Sequence, residues 1–193
     1  MNLGSPIISK SRFISKDVVV FAQWENEEIF QDFLNHHSIG KILKNGWFLK
    51  LEFLRQWGNI SGFQIQNNNS QDASDINPVV AVTLARMKFK EIPRFLQWGR
   101  PVEKLVRDHT GTNLSLASIR HPNLVSTFSI WKTQKEMTDM VRGHSHVPDP
   151  KRHKNAMIER NRKDFHYEFT TLRFRILDEF GIWKGKSDYS VNQ

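Results

Sequence analysis

The sequence predicts an α+β fold assembled from two copies of one structural unit, and three observations carry that expectation. Trp24–His37 recurs as Trp131–His144 at a constant offset of 107 positions. Phe30, Phe33 and Leu34 thereby fall on Met137, Met140 and Val141, and His37 on His144. Gly58-Asn-Ile-Ser-Gly62 recurs as Gly181-Ile-Trp-Lys-Gly185 at an offset of 123, so the second copy holds 16 extra residues (123 less 107). The basic segment around His153 is the natural place for them. Strand-like and helix-like runs also follow a regular order, β-α-β before the polar stretch 64–78 and β-α-β-β-α-β after it.

Asp17–Trp24 is rich in β-branched residues and reads as a buried strand. Glu25 to His37 reads as a helix with Ile29, Phe30, Phe33, Leu34 and His37 on one face. Acidic residues fill its first turn, where the helix dipole favours them. Trp47, Leu49, Leu51 and Phe53 alternate with Phe48, Lys50, Glu52 and Leu54, the period of a strand. Gln64–Pro78 is a polar, low-complexity linker.

Val79–Ala85 is a second buried strand. Glu91–Asp108 reads as a helix with Pro93 in its first turn and Phe95, Leu96, Val102, Leu105 and Val106 facing inward. Pro101, behind Gly99, is expected to kink or split it, because proline removes a backbone donor and clashes with the preceding turn. Gly111 is expected to end it. Asn113–Arg120 and Leu124–Trp131 form a hairpin over His121-Pro122-Asn123. Thr133 with Glu136 is a capping box opening the next helix. Asp149 is expected to cap a helix from Pro150 to Tyr167. The last strand is Glu168–Leu177, with Thr170, Leu172, Phe174 and Ile176 on one face and Arg173 and Arg175 on the other.

The β-α-β-β-α-β order is the ferredoxin-like one. The chain thus divides into a partial module at 1–63, a linker at 64–78 and a complete module at 79–193, with a basic helix inserted at 145–167. Tandem modules of this kind pair sheet to sheet into an α/β barrel of the dimeric type. The space between sheet and helices can then hold a flat apolar ligand.

Composition narrows the function. The chain contains no cysteine, which excludes disulfides, thiolate chemistry and cysteine-held zinc or iron–sulfur clusters. A metal or haem would rest on the eight histidines, on carboxylates or on tyrosine. No apolar run approaches the roughly 20 residues of a membrane span. The start, Met1-Asn-Leu-Gly-Ser-Pro, lacks the pattern of a secretory leader, so the expected location is cytoplasmic, with membrane association as an addition. A net charge of +8 suits an anionic partner, although an ordinary basic protein explains it equally well.

Several stretches together resemble the spheroidene monooxygenase family. They are Ala81-Val-Thr-Leu-Ala-Arg-Met-Lys88, Arg94-Phe-Leu-Gln-Trp98, Thr127-Phe-Ser-Ile-Trp131, His153 in its basic helix, Glu168-Phe-Thr-Thr-Leu-Arg-Phe174 and Gly58-Asn-Ile-Ser-Gly62. The likeness runs from about Val18 onward. It implies an N-terminally shortened, diverged member: an α+β barrel that uses haem and molecular oxygen to place a keto group on a carotenoid. The family's strand–helix–strand before the position of Asp17 has no counterpart here. Ser118-Ile-Arg-His-Pro122 stands where the family has an acidic hairpin.

His153 is the sharpest candidate, as metal and cofactor ligand. It sits where the family has a histidine, and His153, Met157 and Arg160 recur at helical spacing. A haem needs one neutral nitrogen donor and cations for its propionates. Met157 could pack on the macrocycle, and Arg160 and Arg86 could serve its acid groups. The competing interpretation is a solvated histidine in a basic helix. Gly143-His144-Ser-His146 offers two nitrogens but is as readily a polar loop, and His144 has the duplicate His37. Arg86, Lys88, Arg173 and Arg175 could clamp an anionic edge, or could form a solvated strand face. Trp24, Trp98 and Trp131 read as core. Nucleic acid is disfavoured, since Glu159 and Asp164 dilute the basic run and the strands carry no aromatic–basic signature.

The expectation is a haem-dependent monooxygenase-like protein acting on a hydrophobic, carotenoid-like substrate. Its partners would be an electron donor, a second copy in a homodimer, and a peripheral membrane surface. The alternative is a non-catalytic barrel that binds a hydrophobic ligand or haem, or serves assembly.

Overall fold

A computed structural model describes residues 17–63, 65 and 74–190. It is a mixed α+β protein with one five-stranded antiparallel sheet. The elements are α1 Glu27–His36, α2 Ser38–Lys44, β1 Phe48–Asn59, β2 Val79–Met87, α3 Ile92–Asp108, β3 Thr112–Arg120, β4 Leu124–Trp131, α4 Gln134–Arg142, α5 Arg152–Arg162 and β5 His166–Phe180. The strand order is β1-β5-β2-β4-β3, with each pair antiparallel.

Period-2 alternation assigns the two sheet faces. On one face Val80, Val82, Leu84, Ile130, Leu172 and Phe174 form a core, joined by Trp47, Leu49, Leu51 and Phe53 of the β1 region. On the other, Val79, Trp131 and Leu54 pack with Leu105 of α3 and Met137 and Met140 of α4. These side chains are at most 5% exposed, so the sheet and helices are closely packed around them.

The duplication is visible in three dimensions. Asn26 Oδ1 accepts from the Ile29 N–H at the start of α1, and Thr133 Oγ1 accepts from the Glu136 N–H at the start of α4. Both positions obey the first offset. Gly58 and Gly181, related by the second, have φ of 77° and 78°. A Cβ on Gly58 would stand 2.2 Å from the Phe169 carbonyl oxygen, and one on Gly181 would stand 2.3 Å from that of Gly46. Phe169 and Gly46 are themselves equivalents. The pairs Phe48–Phe180 and Trp57–Thr171 likewise exchange under the same offset, so β1 and β5 meet about a local two-fold axis.

Several elements differ from expectation. Asp17–Trp24 forms no strand, and Val18 and Val20 are 79% and 54% exposed. Its counterpart β4 is held between β2 and β3, whereas the first copy has no equivalent of those strands among the described residues. Phe21 and Trp24 alone dock, against Phe63 and Phe128, and against Phe30 and Phe33. The first helix stops at His36, and His37 Nδ1 accepts from the Ile39 N–H to start a separate helix, α2.

α3 runs unbroken through Pro101 and ends at Asp108, before Gly111. Burial of Leu105 beyond the proline holds the last turns on the sheet. Asp149 is not the cap of α5. It adopts φ 53°, pairs with Arg152, and leaves Lys151 at the cap position. That helix is shorter than expected because His166 already pairs with Met87 in the sheet. Of the linker, residues 64 and 66–73 lie outside the described residues. Its end is ordered: the carbonyls of Asp75 and Asn77 accept from the Lys135 and Gln134 N–H groups of α4.

Candidate functional site

The extra residues of the second copy fold into a loop and α5. Gly143 ends α4 with φ 80°, and a Cβ there would lie 3.3 Å from the Pro150 carbonyl and Lys151 Cα. The chain therefore turns back on itself at a glycine, where the positive φ disfavours a side chain and the neighbouring backbone leaves little space for one. The middle of Gly143-His-Ser-His146 is the anchor. His109 Nδ1 accepts from the Gly111 N–H at 3.0 Å, which leaves Nε2–H to donate to Ser145 Oγ at 3.0 Å. Burial lowers the His109 pKa, so the ring stays neutral in this role. His144 and His146 are exposed, and no group of three or more potential ligands forms a metal site among the described residues.

His153 lies on the α4-facing side of α5. Its Nδ1 donates to the Val141 carbonyl at 3.2 Å, so the lone pair belongs to Nε2. Burial lowers its pKa, partly offset by the Val141 carbonyl, and the ring is neutral near pH 7. The other sequence candidates do not gather around it. The Arg160 guanidinium lies 4.0 Å from the Phe169 ring centroid, near Asp164. Arg86 leaves the sheet face opposite to the helices, where its Nε donates to Glu168 at 2.7 Å. The Ser61 hydroxyl and N–H both donate to the same carboxylate, and with Arg86 they lower its pKa.

The remaining strand cations are also engaged. Arg175 pairs with Glu52, Arg173 lies over Trp57, and Lys88 donates to the Asp164 carbonyl. Trp131 is buried core; Trp98 is half-buried and packs on the cluster of Ala85, Met87 and Phe165. A cleft of 490 Å³ opens between Trp98 and Pro101 of α3 and Asp149, Pro150, Lys151, Arg152 and Asn155. His153 is not on its wall.

Two features escaped sequence reasoning. Arg94 bridges Glu91 and Glu159, Arg162 also holds Glu159, and Lys163 reaches Glu91. This network ties the end of α5 to the start of α3. Arg162 and Arg94 hold the Glu159 carboxyl at about 2. His166 is 5% exposed within a box of Phe95, Phe165 and Phe169. Its Nδ1 meets Asp164 at 3.1 Å, and its Nε2 is buried with no partner among the described residues. Burial drives its pKa down to about 4. The alternating charges of α5 hinted at the first feature; nothing in the sequence marked the second.

No family model matches the chain. It is 27% identical over 177 residues to the spheroidene monooxygenase of Cereibacter sphaeroides, covering 86% of this chain and 51% of that protein. The chain thus spans about half the length of the curated relative it matches, and the similarity agrees with the resemblance read from the sequence. Two solved structures are also similar. One is a candidate monooxygenase from Fusobacterium nucleatum, with TM-score 0.42 and 13% identity over 69% of this chain and 53% of that one. The other is an anthrone oxidase-like protein, with TM-score 0.40 and 11% identity over 84% of this chain and 71% of that one.

Proposed function

We propose that the chain is a monooxygenase-like protein that holds haem through His153 and acts on a hydrophobic, carotenoid-like substrate. Similarity to spheroidene monooxygenase supports the class. The observation that carries the site is the Val141 carbonyl on His153 Nδ1, which fixes the tautomer and directs basicity to Nε2. A neutral imidazole oriented through its other nitrogen has the donor chemistry an axial ligand needs. A bound haem would supply the oxygen chemistry. The chain supplies the ligand, and Met157 one turn along offers a soft apolar contact. Arg86 and Arg160 have other partners and take no part.

In this proposal residues 1–63 are a partial ferredoxin-like module and residues 79–193 a complete one, joined by the 64–78 linker. The protein is cytoplasmic, pairs as a homodimer, draws on an electron donor and touches the membrane peripherally. No helix among the described residues is long and apolar enough to cross a membrane.

The test is an absorption spectrum of protein from haem-supplemented cells, repeated with His153→Ala and with His153→Gly plus imidazole. A Soret band that disappears in the first variant and returns in the second is expected. Wild-type protein without a band ends the haem reading. Exposed Val18–Val20 favour a second reading, a non-catalytic assembly module. That reading predicts no Soret band and a concentration-dependent dimer in light scattering.

A further inference from the structure

We infer that the end of the sheet where β5 begins is a docking surface for an anionic phospholipid membrane. Three connections meet there: the turn after β2, the β3–β4 hairpin and the entry into β5 from α5. Hydrogen bonds fix them to one another. The Met87 N–H donates to the Asn123 carbonyl at 2.9 Å, and Asn123 Nδ2 donates back to the Met87 carbonyl at 2.6 Å. The Lys88 N–H donates to the Phe165 carbonyl at 3.0 Å. Each connection then presents one large apolar side chain at its surface: Phe89, Ile119 and Tyr167 are 57%, 50% and 67% exposed. Leaving such groups in water is unfavourable, and Phe89 and Ile119 have no polar side-chain atom to offset it.

The charges around these side chains do not balance. Glu91 is held by Arg94 and Lys163, Glu168 by Arg86, and Asp164 faces Arg160. Lys88, Lys90 and Arg120 have no carboxylate partner among the described residues. The Lys88 ammonium lies 5.8 Å from the Tyr167 ring centroid, so a cation stands directly beside an exposed aromatic body. Apolar side chains ringed by uncompensated cations match the two layers of an anionic bilayer surface. The side chains enter the acyl boundary, and the ammonium and guanidinium groups meet lipid phosphates. Ile119 weighs against a nucleic acid, because it has no ring face on which a base stacks. Exposure alone does not select this end. Ile39 and Ile42 of α2 are 54% and 72% exposed, but the neighbouring α1 adds Glu27, Glu28 and Asp32 to the two lysines of α2, so no cationic excess forms there.

The inference rests on the peripheral membrane contact of the proposed function and names the surface that makes it. Co-sedimentation of the full chain with phosphatidylglycerol vesicles, and with phosphatidylcholine vesicles, measures it. Binding to the first should exceed binding to the second by about a hundredfold, as three cations contribute together. Lys90→Glu combined with Arg120→Glu should weaken binding to phosphatidylglycerol by about twentyfold or more. Phe89→Ser should weaken it by about tenfold. Phe89→Trp should gain a blue-shifted fluorescence component when vesicles are added, which a purely electrostatic contact would not give. Lys41→Glu, in α2 near the opposite end of β5, should bind like wild type. All the substituted side chains are exposed, so the variants should keep the fold, and circular dichroism checks that they do.

Phosphatidylglycerol binding that is unchanged in either the double variant or Phe89→Ser overturns the inference and leaves a membrane contact elsewhere on the molecule. Wild-type protein that binds neither vesicle overturns the surface and the peripheral contact together, while the haem reading still stands or falls on its Soret band. Binding to polyuridylate in place of vesicles, lost in the double variant, overturns the inference in favour of nucleic acid. Vesicle binding that the variants lose supports it, with or without a haem spectrum.

Discussion

Gly58 lies against the carbonyl of Phe169 as Gly181 lies against the carbonyl of Gly46, and the four residues form two pairs at one sequence offset. Both glycines have positive φ, and both leave no room for a Cβ. The junction of β1 with β5 therefore depends twice on the same absence of a side chain.

Gly58→Ala and Gly181→Ala should each destabilise the protein by about 2–3 kcal/mol, since left-handed strain and backbone overlap add. Gly62 and Gly185 have φ of 78° and 80° but open space around them. Their alanine variants should cost about 1 kcal/mol, from conformation alone. Urea denaturation of the four variants measures the contrast. Equal costs at all four positions would show that the close approach to Phe169 and Gly46 carries no weight.

His166 should make stability fall in mild acid. Burial lowers its folded pKa from the ordinary 6.5 to about 4; Arg160 and Lys88 push the same way, and Asp164 opposes. Above the unfolded value both states are neutral, and the group has no effect. As pH falls from 6.5 towards 4, the unfolded chain binds a proton that the folded one refuses, so stability drops, by about 3 kcal/mol in all. Below about 4 the loss levels off. Denaturation from pH 7.5 to 4 should show a steeper decline for wild type than for His166→Phe. Parallel curves would refute the assignment.

Glu159 shifts stability in the same direction, over a more acidic range. Arg162 and Arg94 hold its carboxyl at about 2, below its usual 4.5, so its contribution is intact above 4.5 and is lost as pH falls towards 2. Glu159→Gln should loosen the end of α5 at neutral pH. Amide exchange at Asn155–Arg162 should accelerate by about tenfold while β2 exchange holds steady. Unchanged exchange in α5 would mean that the ion network does not anchor that helix.

The loop Gly143-His-Ser-His146 offers a direct comparison of its polar residues. Ser145→Ala removes the partner of the buried His109 and should cost about 1–2 kcal/mol. His144→Ala and His146→Ala change exposed side chains and should stay within about 0.5 kcal/mol. A large loss at either histidine would mean that the exposed rings have partners after all.

Much of the scaffold was legible in the residues. Repeated spacing located α1 and α4, alternation located β1 and β5, a continuous apolar run located β2, and Thr133 with Glu136 marked a helix start that the structure shows at 3.1 Å. Asp17–Trp24 was misread because its valines carry a strong strand signal. A strand needs neighbours to satisfy its backbone groups, and no window of sequence reveals whether they are there. Pro101 does not split α3, because propensity describes an isolated helix and here burial of Leu105 outweighs the lost hydrogen bond.

By itself the sequence determined the duplication, the absence of thiol chemistry, the strands and helices with strong periodicity, and the basic insertion carrying His153. Tertiary structure decided which histidines are neutral, which arginines are already paired, and that the sheet and helices pack closely while a cleft opens outside them. The division has a physical cause. Periodicity and conformational preference act over a few neighbouring residues, whereas desolvation and charge pairing depend on groups such as Arg86 and Glu168, 82 residues apart in the chain.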